Sequence, residues 1–267
     1  MYSHPLELIL FETDPVRARA AHDRGVDGLM FDVERRGKTD RQTAFDTDIS
    51  AVSLDGLSDF VAISHIRPIC RLDALHAGSA DDIDQAIAGG AGELLFPMVR
   101  TVNEVEHVLS LVAGRIPSGI MIETKDILKC LRDISAMPLS RVYVGLNDLM
   151  ISSGYCNLFE PLIDGTVDRI RADVGALRFG IAGATRVDQG SPIPFRLLLA
   201  EMARLDVHFT MLRRSFRRDV APDEMGSALR GIADLWQELR LRSDDQIAVD
   251  RKAFVGAIAS LGVIGRK

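Results

Sequence analysis

Eight short apolar runs that alternate with segments of helical period constrain the fold of this chain more than any other feature. The runs are rich in Val, Ile, Leu, Phe and Met, and most are too short to form a helix. Their apolar character is nearly continuous, which is typical of parallel strands that are buried on both faces. We therefore predict eight strands, at 6–12, 28–34, 66–72, 93–99, 119–124, 141–146, 178–184 and 208–214.

The segments between these runs carry helical signals. The clearest one opens with Thr101 and Glu104 in a capping-box pattern and places Val105 and Val108 on one face. Ser79 is the expected N-cap of another. The predicted helices are 14–23, 80–88, 101–113, 126–136, 165–174, 192–205 and 222–241. Strict β-then-α alternation predicts a parallel sheet with right-handed crossovers, and eight such units favour an α/β fold of the closed (β/α)8, or TIM barrel, type.

A last helix lies beyond the eighth unit, at roughly 244–262. Its apolar stripe consists of Ile247, Phe254, Val255, Ile258 and Leu261, and it must pack on another surface. We expect this helix to cover the bottom of the barrel or to exchange with a neighbouring subunit of a homo-oligomer. Because no linker interrupts the pattern, residues 1–267 are predicted to form one domain.

Composition excludes several classes of protein. The 267 residues are 47% hydrophobic and 26% charged, which suits a soluble globular domain. The formal net charge of −6 argues against nucleic acid as the main partner, since phosphate neutralisation requires a basic surface. The apolar runs are too short for a membrane span, and the first residues lack the pattern of a signal peptide. We therefore expect a cytoplasmic protein.

Polar residues at the ends of the apolar runs are the candidates for chemistry, because barrel enzymes carry their sites at the carboxyl ends of the strands. Glu123 ends the fifth run and Asp148 follows the sixth, so both carboxylates would point into one mouth. A hard dication such as Mg²⁺ is the usual way to keep two such neighbours ionised. The alternative is that each carboxylate caps the helix after its strand.

Arg71, at the end of the third run, is the expected partner of a substrate carboxylate or of a developing enolate oxygen. The planar donors of its guanidinium group suit planar anions. The alternative is a structural salt bridge with Asp32 or Glu34, which end the second run.

One stretch of the chain resembles a known family. Residues 119–154, GIMIETKDILKCLRDISAMPLSRVYVGLNDLMISSG, are similar to the signature of the HpcH/HpaI aldolase and citrate lyase β-subunit family of pyruvate-binding TIM barrels. That family has an Ile-Glu-Thr strand end, then a Gly-Pro-x-Asp-Leu turn and a later glycine. Similar agreement occurs at 25–32, 70–72 and 92–99, so the resemblance extends over roughly residues 20–190.

The resemblance implies a metal-dependent enzyme that acts on a pyruvate-like 2-oxo acid. Glu123 and Asp148 occupy the positions of the metal ligands, with Mg²⁺ or Mn²⁺ as the expected ion. Arg71 occupies the position that stabilises the keto or enolate oxygen. Backbone amides of Asn147 and Asp148, in the turn that begins at Gly145, would receive the substrate carboxylate. These parts serve aldol, Claisen and decarboxylase chemistry alike.

The second strand departs from the pattern. The aldolases of this family carry a proton-transferring histidine where this chain has Arg35, and arginine is a poor general base. The acyl-CoA branch and the citrate lyase subunit have Glu-Asp there, which does not match either. Met121 and Leu146 replace a glutamine and a proline of the family. Asp32 and Glu34 are then the carboxylates expected to act in catalysis at this strand end.

Two basic segments allow two interpretations each. Arg35, Arg36 and Lys38 could bind an extra carboxylate or phosphate on the acceptor, or could form a solvated loop. The arginines after the eighth run allow the same pair of roles, and ion pairing is the expectation there; they are Arg213, Arg214, Arg217 and Arg218. The segment 183–185 follows the seventh run, where barrels often bind phosphate, and His76 is the one histidine expected near the mouth.

Three functions remain open from the sequence. The first is a carbon–carbon lyase, of aldehyde-lyase or oxo-acid-lyase type. The second is an aldolase-like protein with a synthase or binding role and no retro-aldol activity, which the Arg35 replacement motivates. The third is an acyl-CoA Claisen lyase, which the missing Glu-Asp motif disfavours.

Overall fold

The eight predicted strands form a closed parallel barrel. The structure is a computed structural model that describes residues 4–36 and 52–261. The strands are β1 (Glu7–Phe11), β2 (Gly28–Asp32), β3 (Ile69–Arg71), β4 (Glu93–Phe96), β5 (Ser118–Ile122), β6 (Arg141–Val144), β7 (Arg178–Ala184) and β8 (Phe209–Leu212). Each strand pairs in parallel with the next, and β8 pairs with β1. The predicted (β/α)8 barrel is therefore confirmed.

Helices surround the barrel in the expected order. They are α1 (Pro15–His22), α2 (Leu57–Ser64), α3 (Ser79–Ala88), α4 (Val102–Val112), α5 (Leu131–Ser135), α6 (Leu146–Ser153), α7 (Glu160–Ile163), α8 (Thr166–Asp173), α9 (Phe195–Arg204), α10 (Arg214–Asp219), α11 (Met225–Arg240) and α12 (Asp244–Ala259). At the start of α4 the hydroxyl of Thr101 accepts a hydrogen bond from the Glu104 amide, as predicted. The Glu104 carboxylate accepts from the Arg100 amide and not from the Thr101 amide, so the capping box is incomplete.

Three local predictions were wrong. Ser79 is the first residue of α3 and Gly78 precedes it, so Ser79 is not the N-cap. The predicted helix 126–136 divides into a 3-10 turn, Ile127–Lys129, and the short α5, because Cys130 has a φ of −131° and leaves the helical conformation. The expected turn after β6 is the first turn of α6, which begins at Leu146.

Apolar side chains fill the barrel and limit any site to its ends. The interior cluster contains Ile9, Met30, Ile69, Leu95, Met121, Tyr143, Phe209 and Met211. A larger cluster lies between the strands and the surrounding helices, where Trp236 is completely buried, as expected of a packing residue. Because the interior is packed, polar chemistry is confined to the mouth, where the strands end, and to the bottom, where they begin.

Helix α12 packs against α9 of the same chain. Phe254 and Ile258 of the predicted stripe are buried, and a capping box between Ser243 and Gln246 fixes the start of the helix. Arg251 on α12 contacts Glu201 on α9. Exchange of this helix between subunits stays a prediction. In the described residues, no helix is long and apolar enough to cross a membrane.

Candidate active site

A cavity of about 1010 Å³ lies at the carboxyl ends of the strands. Its lining includes most of the polar residues predicted for the site, which are Asp32, Arg71, Glu123, Gly145, Asn147 and Asp148. Parallel strands that end at the same rim explain this convergence, because each residue lies at or just beyond the end of its strand. The geometry therefore brings these six residues into one chamber, whereas Glu34 does not line it.

Arg71 lies at the centre of a carboxylate cluster. Its Nε and Nη2 atoms donate to the two oxygens of Asp32 at 2.8 and 2.7 Å, in a bidentate pair. Its Nη1 lies 3.4 Å from Glu34 and 3.9 Å from the sulfur of Met121. Burial alone would lower the pKa of Arg71, but the charges of Asp32 and Glu34 raise it, so the group stays cationic. The expected structural salt bridges are present, and they aim Nη1 towards the barrel axis.

Glu123 is positioned by two backbone features. The amide of Met98 donates to Glu123 Oε2 at 3.1 Å, with Met98 held at a φ of +58°. At Gly145 an added Cβ would lie 2.3 Å from Glu123 Oε1, so only glycine leaves room for this carboxylate. Burial raises the pKa of Glu123 to about 8, and the charges of Glu34 and Asp148 add to the shift. The carboxylate is thus held close to other negative charges.

Asp148 and Asn147 lie in the first turn of α6. Asp148 is buried, and Gly145 is the N-cap, with no side chain that could cap the helix. The first amides of a helix have no acceptor within it, so this turn offers N–H donors to an anion in the chamber. Asn147 Nδ2 is one of two buried side-chain polar atoms without a hydrogen-bond partner among the described residues. The predicted carboxylate-binding turn therefore has the required donors.

The chamber is suited to a hard dication. Asp32 and Glu34 pair with the Arg71 guanidinium, and the buried carboxylates Glu123 and Asp148 lie close enough for their charges to interact. All four offer oxygen ligands, and burial raises the pKa of Glu123 while the charges of Glu34 and Asp148 add to the shift, so a bound cation would favour the ionised carboxylate. Glu123 and Asp148 are the pair that would hold Mg²⁺ or Mn²⁺, with the remaining positions left to substrate and water.

One other group of the described residues has the composition of a three-ligand metal site: His4, Asp206 and His208. It lies at the bottom of the barrel. Arg171 and Arg240 both bind the Asp206 carboxylate, and His208 Nδ1 accepts the Phe179 amide. Because these ligand atoms already have partners, this group is better explained as structural.

Two of the candidates, Arg35 and His76, do not line the cavity. Arg35 is exposed and does not line the cavity; its amide is held by Asp73 at 2.6 Å, and Arg36 pairs with the same carboxylate. Lys38 lies outside the described residues. His76 binds Asp82 at the start of α3 and is not part of the cavity lining. The chain therefore offers no histidine near the mouth among its described residues.

Tyr143 lines the cavity but was not predicted as a residue of the site. This residue of β6 points into the barrel below Glu123, and its hydroxyl donates to the carbonyl of Ala182. Burial raises the pKa of Tyr143, so its phenol stays protonated. Inward alternation along β6, from Arg141 to Tyr143 to Gly145, is the signal that could have found it.

The four arginines after β8 do not share one role. Arg217 pairs with Glu12, and Arg218 pairs with Asp219, as the expectation of ion pairing predicts. Arg214 is exposed. Arg213 differs, because it lines the cavity and its Nη1 donates to the carbonyl of Ser191 at 3.4 Å. Ion pairing is therefore the wrong expectation for Arg213 among the described residues.

The described residues form a (β/α)8 barrel with an acidic chamber at the strand ends, and comparisons with known proteins bear on the barrel fold. No protein-family model and no curated protein sequence matches the chain. Solved structures do match. HpcH/HpaI aldolase from Desulfitobacterium hafniense DCB-2 superposes with a TM-score of 0.59 at 10% identity, over 78% of this chain and 86% of that chain.

Two further structures are similar. Citrate synthase SbnG has a TM-score of 0.60 at 20% identity, over 85% of this chain and 95% of its own. CitE from Mycobacterium tuberculosis, in complex with magnesium and pyruvate, has a TM-score of 0.58 at 14% identity, over 94% of this chain and 98% of its own. At these identities the likeness establishes a shared fold. The chain has the fold of the HpcH/HpaI aldolases and citrate lyase β-subunit proteins, as the motifs predicted.

Proposed function

We propose that the protein is a divalent-metal-dependent carbon–carbon lyase that acts on a 2-oxo acid. The observation that carries this proposal is the buried pair Glu123 and Asp148, which lines the same chamber as Arg71 and Asp32. Proteins of the same fold support it, since CitE is described in complexes with magnesium and pyruvate, and the citrate lyase β subunit with oxaloacetate and magnesium.

Substrate binding would use donors that this chain supplies. The carboxylate of the 2-oxo acid would accept amides from the first turn of α6, at Asn147 and Asp148, with the Nδ2 of Asn147 close by. Gly145 keeps this approach open, because a side chain there would collide with Glu123. Apolar residues below the chamber, including Met121 and Tyr143, would exclude water from the reacting carbons.

Arg71 would stabilise charge on the 2-oxo oxygen. When the bond next to the carbonyl breaks, negative charge moves onto that oxygen and an enolate forms. Nη1 of Arg71 is the donor directed at the chamber, while Asp32 fixes the guanidinium plane through Nε and Nη2. A Mg²⁺ or Mn²⁺ ion held by Glu123 and Asp148 would supply Lewis-acid polarisation of the same carbonyl.

Proton transfer is assigned to the end of the second strand. Asp32 is engaged by two Arg71 bonds, so we give it the role of orienting Arg71. Glu34 is buried, lies 3.4 Å from Nη1, and is our candidate for moving a proton to or from the substrate carbon. Arg35 is not assigned to this step, because it is exposed and a guanidinium has no acceptor atom for a proton.

A synthase role is the second candidate. SbnG, a citrate synthase, has the same fold at 20% identity. The same enolate parts serve bond formation and bond cleavage, so both candidates require enolisation of the 2-oxo acid.

Enolisation of pyruvate tests the shared requirement. In D₂O with Mg²⁺ or Mn²⁺, the methyl protons of pyruvate should exchange, as followed by NMR, and a chelator should stop the exchange. Glu123→Gln and Asp148→Asn should each reduce the rate by about 100-fold or more. The exposed Glu238→Gln is the matched control and should retain the rate. Absence of exchange in the folded wild type with any divalent metal would overturn the proposal.

A further inference from the structure

The cavity continues beyond the acidic cluster towards the ends of β7 and β8. This side of the cavity is lined by Gly183, Thr185, Ser191, Arg213 and Ser215. The pairing of β7 with β8 shifts register between Gly180 and Gly183, and Ala182 has a φ of +64°. Such a bulge widens a barrel rim and redirects nearby side chains. The chamber therefore has a second region next to the proposed metal pair.

Arg213 lies across this second region. At Gly183 an added Cβ would lie 2.6 Å from Arg213 Cγ, so the glycine lets the arginine stem lie flat over the end of β7. The guanidinium donates to the Ser191 carbonyl through Nη1 at 3.4 Å. Since a guanidinium has five N–H donors, one long bond leaves most of its capacity for another partner.

The charge of Arg213 is not balanced by a carboxylate. Within residues 4–36 and 52–261, no carboxylate lies within salt-bridge distance of it, whereas Arg186, Arg217 and Arg218 nearby each have one. Burial lowers the pKa of Arg213, which reflects the cost of holding this charge away from water. A partly buried cation that lacks a counter-ion is suited to bind an anion.

Two hydroxyl groups lie on the same wall. Ser215 Oγ donates to Thr185 Oγ1 at 3.1 Å, and both residues line the cavity. Thr185 is buried, so its hydroxyl is shielded from bulk solvent. Hydroxyl groups beside a guanidinium are typical partners of carboxylate and phosphate oxygens.

We propose that Arg213, assisted by Thr185 and Ser215, binds an anionic group on the part of the substrate that extends away from the 2-oxo acid. The group is a carboxylate or a phosphate, since both offer the planar or tetrahedral oxygens that a guanidinium binds. This inference rests on the proposed function, in which the 2-oxo end occupies the side of Glu123 and Asp148. The substrate class is therefore a 2-oxo acid, or an acceptor aldehyde, with a second negative charge.

A titration of the metal-free protein tests the anion site without any chemistry. Inorganic phosphate and succinate are titrated by calorimetry into the chelator-treated protein, where the acidic cluster repels anions. Arg213→Gln should weaken the binding of the tighter anion by about tenfold or more, and Arg213→Lys should restore part of it. The matched control is Arg186→Gln, because Arg186 is paired with Asp188 and should not affect binding.

The outcome identifies the ligand chemistry. Tighter binding of phosphate than of succinate indicates a phosphorylated substrate, and the reverse order indicates a second carboxylate. Binding that is the same in wild type and Arg213→Gln overturns the inference, as does binding too weak to measure in the wild type.

Acceptor selectivity gives a second test with the metal-loaded protein. Glyceraldehyde 3-phosphate is compared with glyceraldehyde, and succinic semialdehyde with butyraldehyde, as acceptors for pyruvate. Arg213→Gln should raise the KM of the anionic member by about tenfold more than that of its neutral partner. An equal change in both members overturns the inference while the proposed function stands. If the protein performs no carbon–carbon chemistry, the proposed function fails and the anion titration alone decides.

Discussion

The two ends of the barrel each hold a buried arginine among carboxylates, but they differ in charge balance. At the bottom, Arg141 binds Glu93 at 2.8 Å and Glu7 at 3.2 Å, and Arg178 also contacts Glu7. Two arginines therefore meet two glutamates. At the mouth, Arg71 pairs with Asp32 and Glu34, and the charges of Glu34 and Asp148 also act on Glu123.

The pKa values of carboxyl groups shift in opposite directions at the two ends. Burial raises the pKa of Glu123 at the mouth to about 8. Burial would also raise that of Asp206 at the bottom, but bonds from Arg240, Arg171 and His4 lower it to about 2. Pairs between opposite charges stabilise the bottom, whereas burial and the charges of Glu34 and Asp148 make the Glu123 carboxylate of the mouth a suitable ligand for a cation. This contrast separates a structural end from a functional one.

Loss of the arginine at the bottom should have the largest effect on stability. Arg141→Met removes the cation between Glu93 and Glu7 and leaves Glu93 buried without it. We expect the free energy of unfolding to fall by about 3–5 kcal/mol, measured by urea denaturation. Arg178→Met, at the exposed member of the network, should cost below about 1 kcal/mol. Similar losses of unfolding free energy from the two variants would contradict the distinction between the buried and the exposed arginine.

Substitution of Gly145, which lies against Glu123, should have the next largest effect on stability. Gly145→Ala places a methyl group 2.3 Å from Glu123 Oε1, so the carboxylate must move. We expect a loss of about 1–3 kcal/mol in unfolding free energy and loss of the Mg²⁺-dependent rise in Tm. Gly256→Ala on α12 is the control, because nothing lies within 4 Å of the added atom. An unchanged response to Mg²⁺ in Gly145→Ala would show that Glu123 does not hold the ion.

Most of the barrel was predictable because each strand is buried on both faces and its apolar run is continuous. The same property hid α2, where Phe60, Val61 and Ile63 form an apolar run that does not distinguish a helix from a strand. The start of α6 was missed for another reason. Gly145, Asn147 and Asp148 are typical of turns, and no side chain caps the helix.

The residues of the candidate site were also predictable only in part. Glu123, Asp148 and Arg71 follow apolar runs, so their positions at the mouth were readable from the sequence. The state of Arg213 was not, because its partners come from distant loops. Ser191, whose carbonyl accepts from Arg213, lies 22 residues before it, and only folding determines that no carboxylate meets the guanidinium within the described residues.

Replacing the Glu123 carboxyl group should stabilise the metal-free protein. Glu123→Gln keeps the shape of the side chain and can still accept the Met98 amide. It removes a carboxyl group whose pKa is raised by burial and by the charges of Glu34 and Asp148, and whose ionisation in the unfolded chain therefore opposes folding at pH 7. We expect a gain of about 1 kcal/mol in a chelator, measured by urea denaturation, and no further gain with Mg²⁺. Glu93→Gln at the bottom is the matched comparison and should instead destabilise, because it weakens the pair with Arg141. Destabilisation of the metal-free protein by Glu123→Gln would contradict the difference between the carboxylates of the mouth and those of the bottom.

The smallest expected effect lies at Asp206, where the matched charges of the bottom should produce a dependence on pH. Asp206 has a φ of +53°, which asparagine tolerates, so Asp206→Asn isolates the charge. The pKa lies near 3.8 in the unfolded chain and about 2 in the folded one, so the ionic stabilisation is present above pH 4 and is lost as the pH falls towards 2. Because the group is partly exposed, the variant should lose less than about 1 kcal/mol at pH 7. Urea denaturation at pH 7, 4 and 2.5 should show this difference shrinking, with exposed Asp234→Asn as the control. A difference that stays constant across this range would mean that hydrogen bonding, and not charge, holds Asp206 to Arg240 and Arg171.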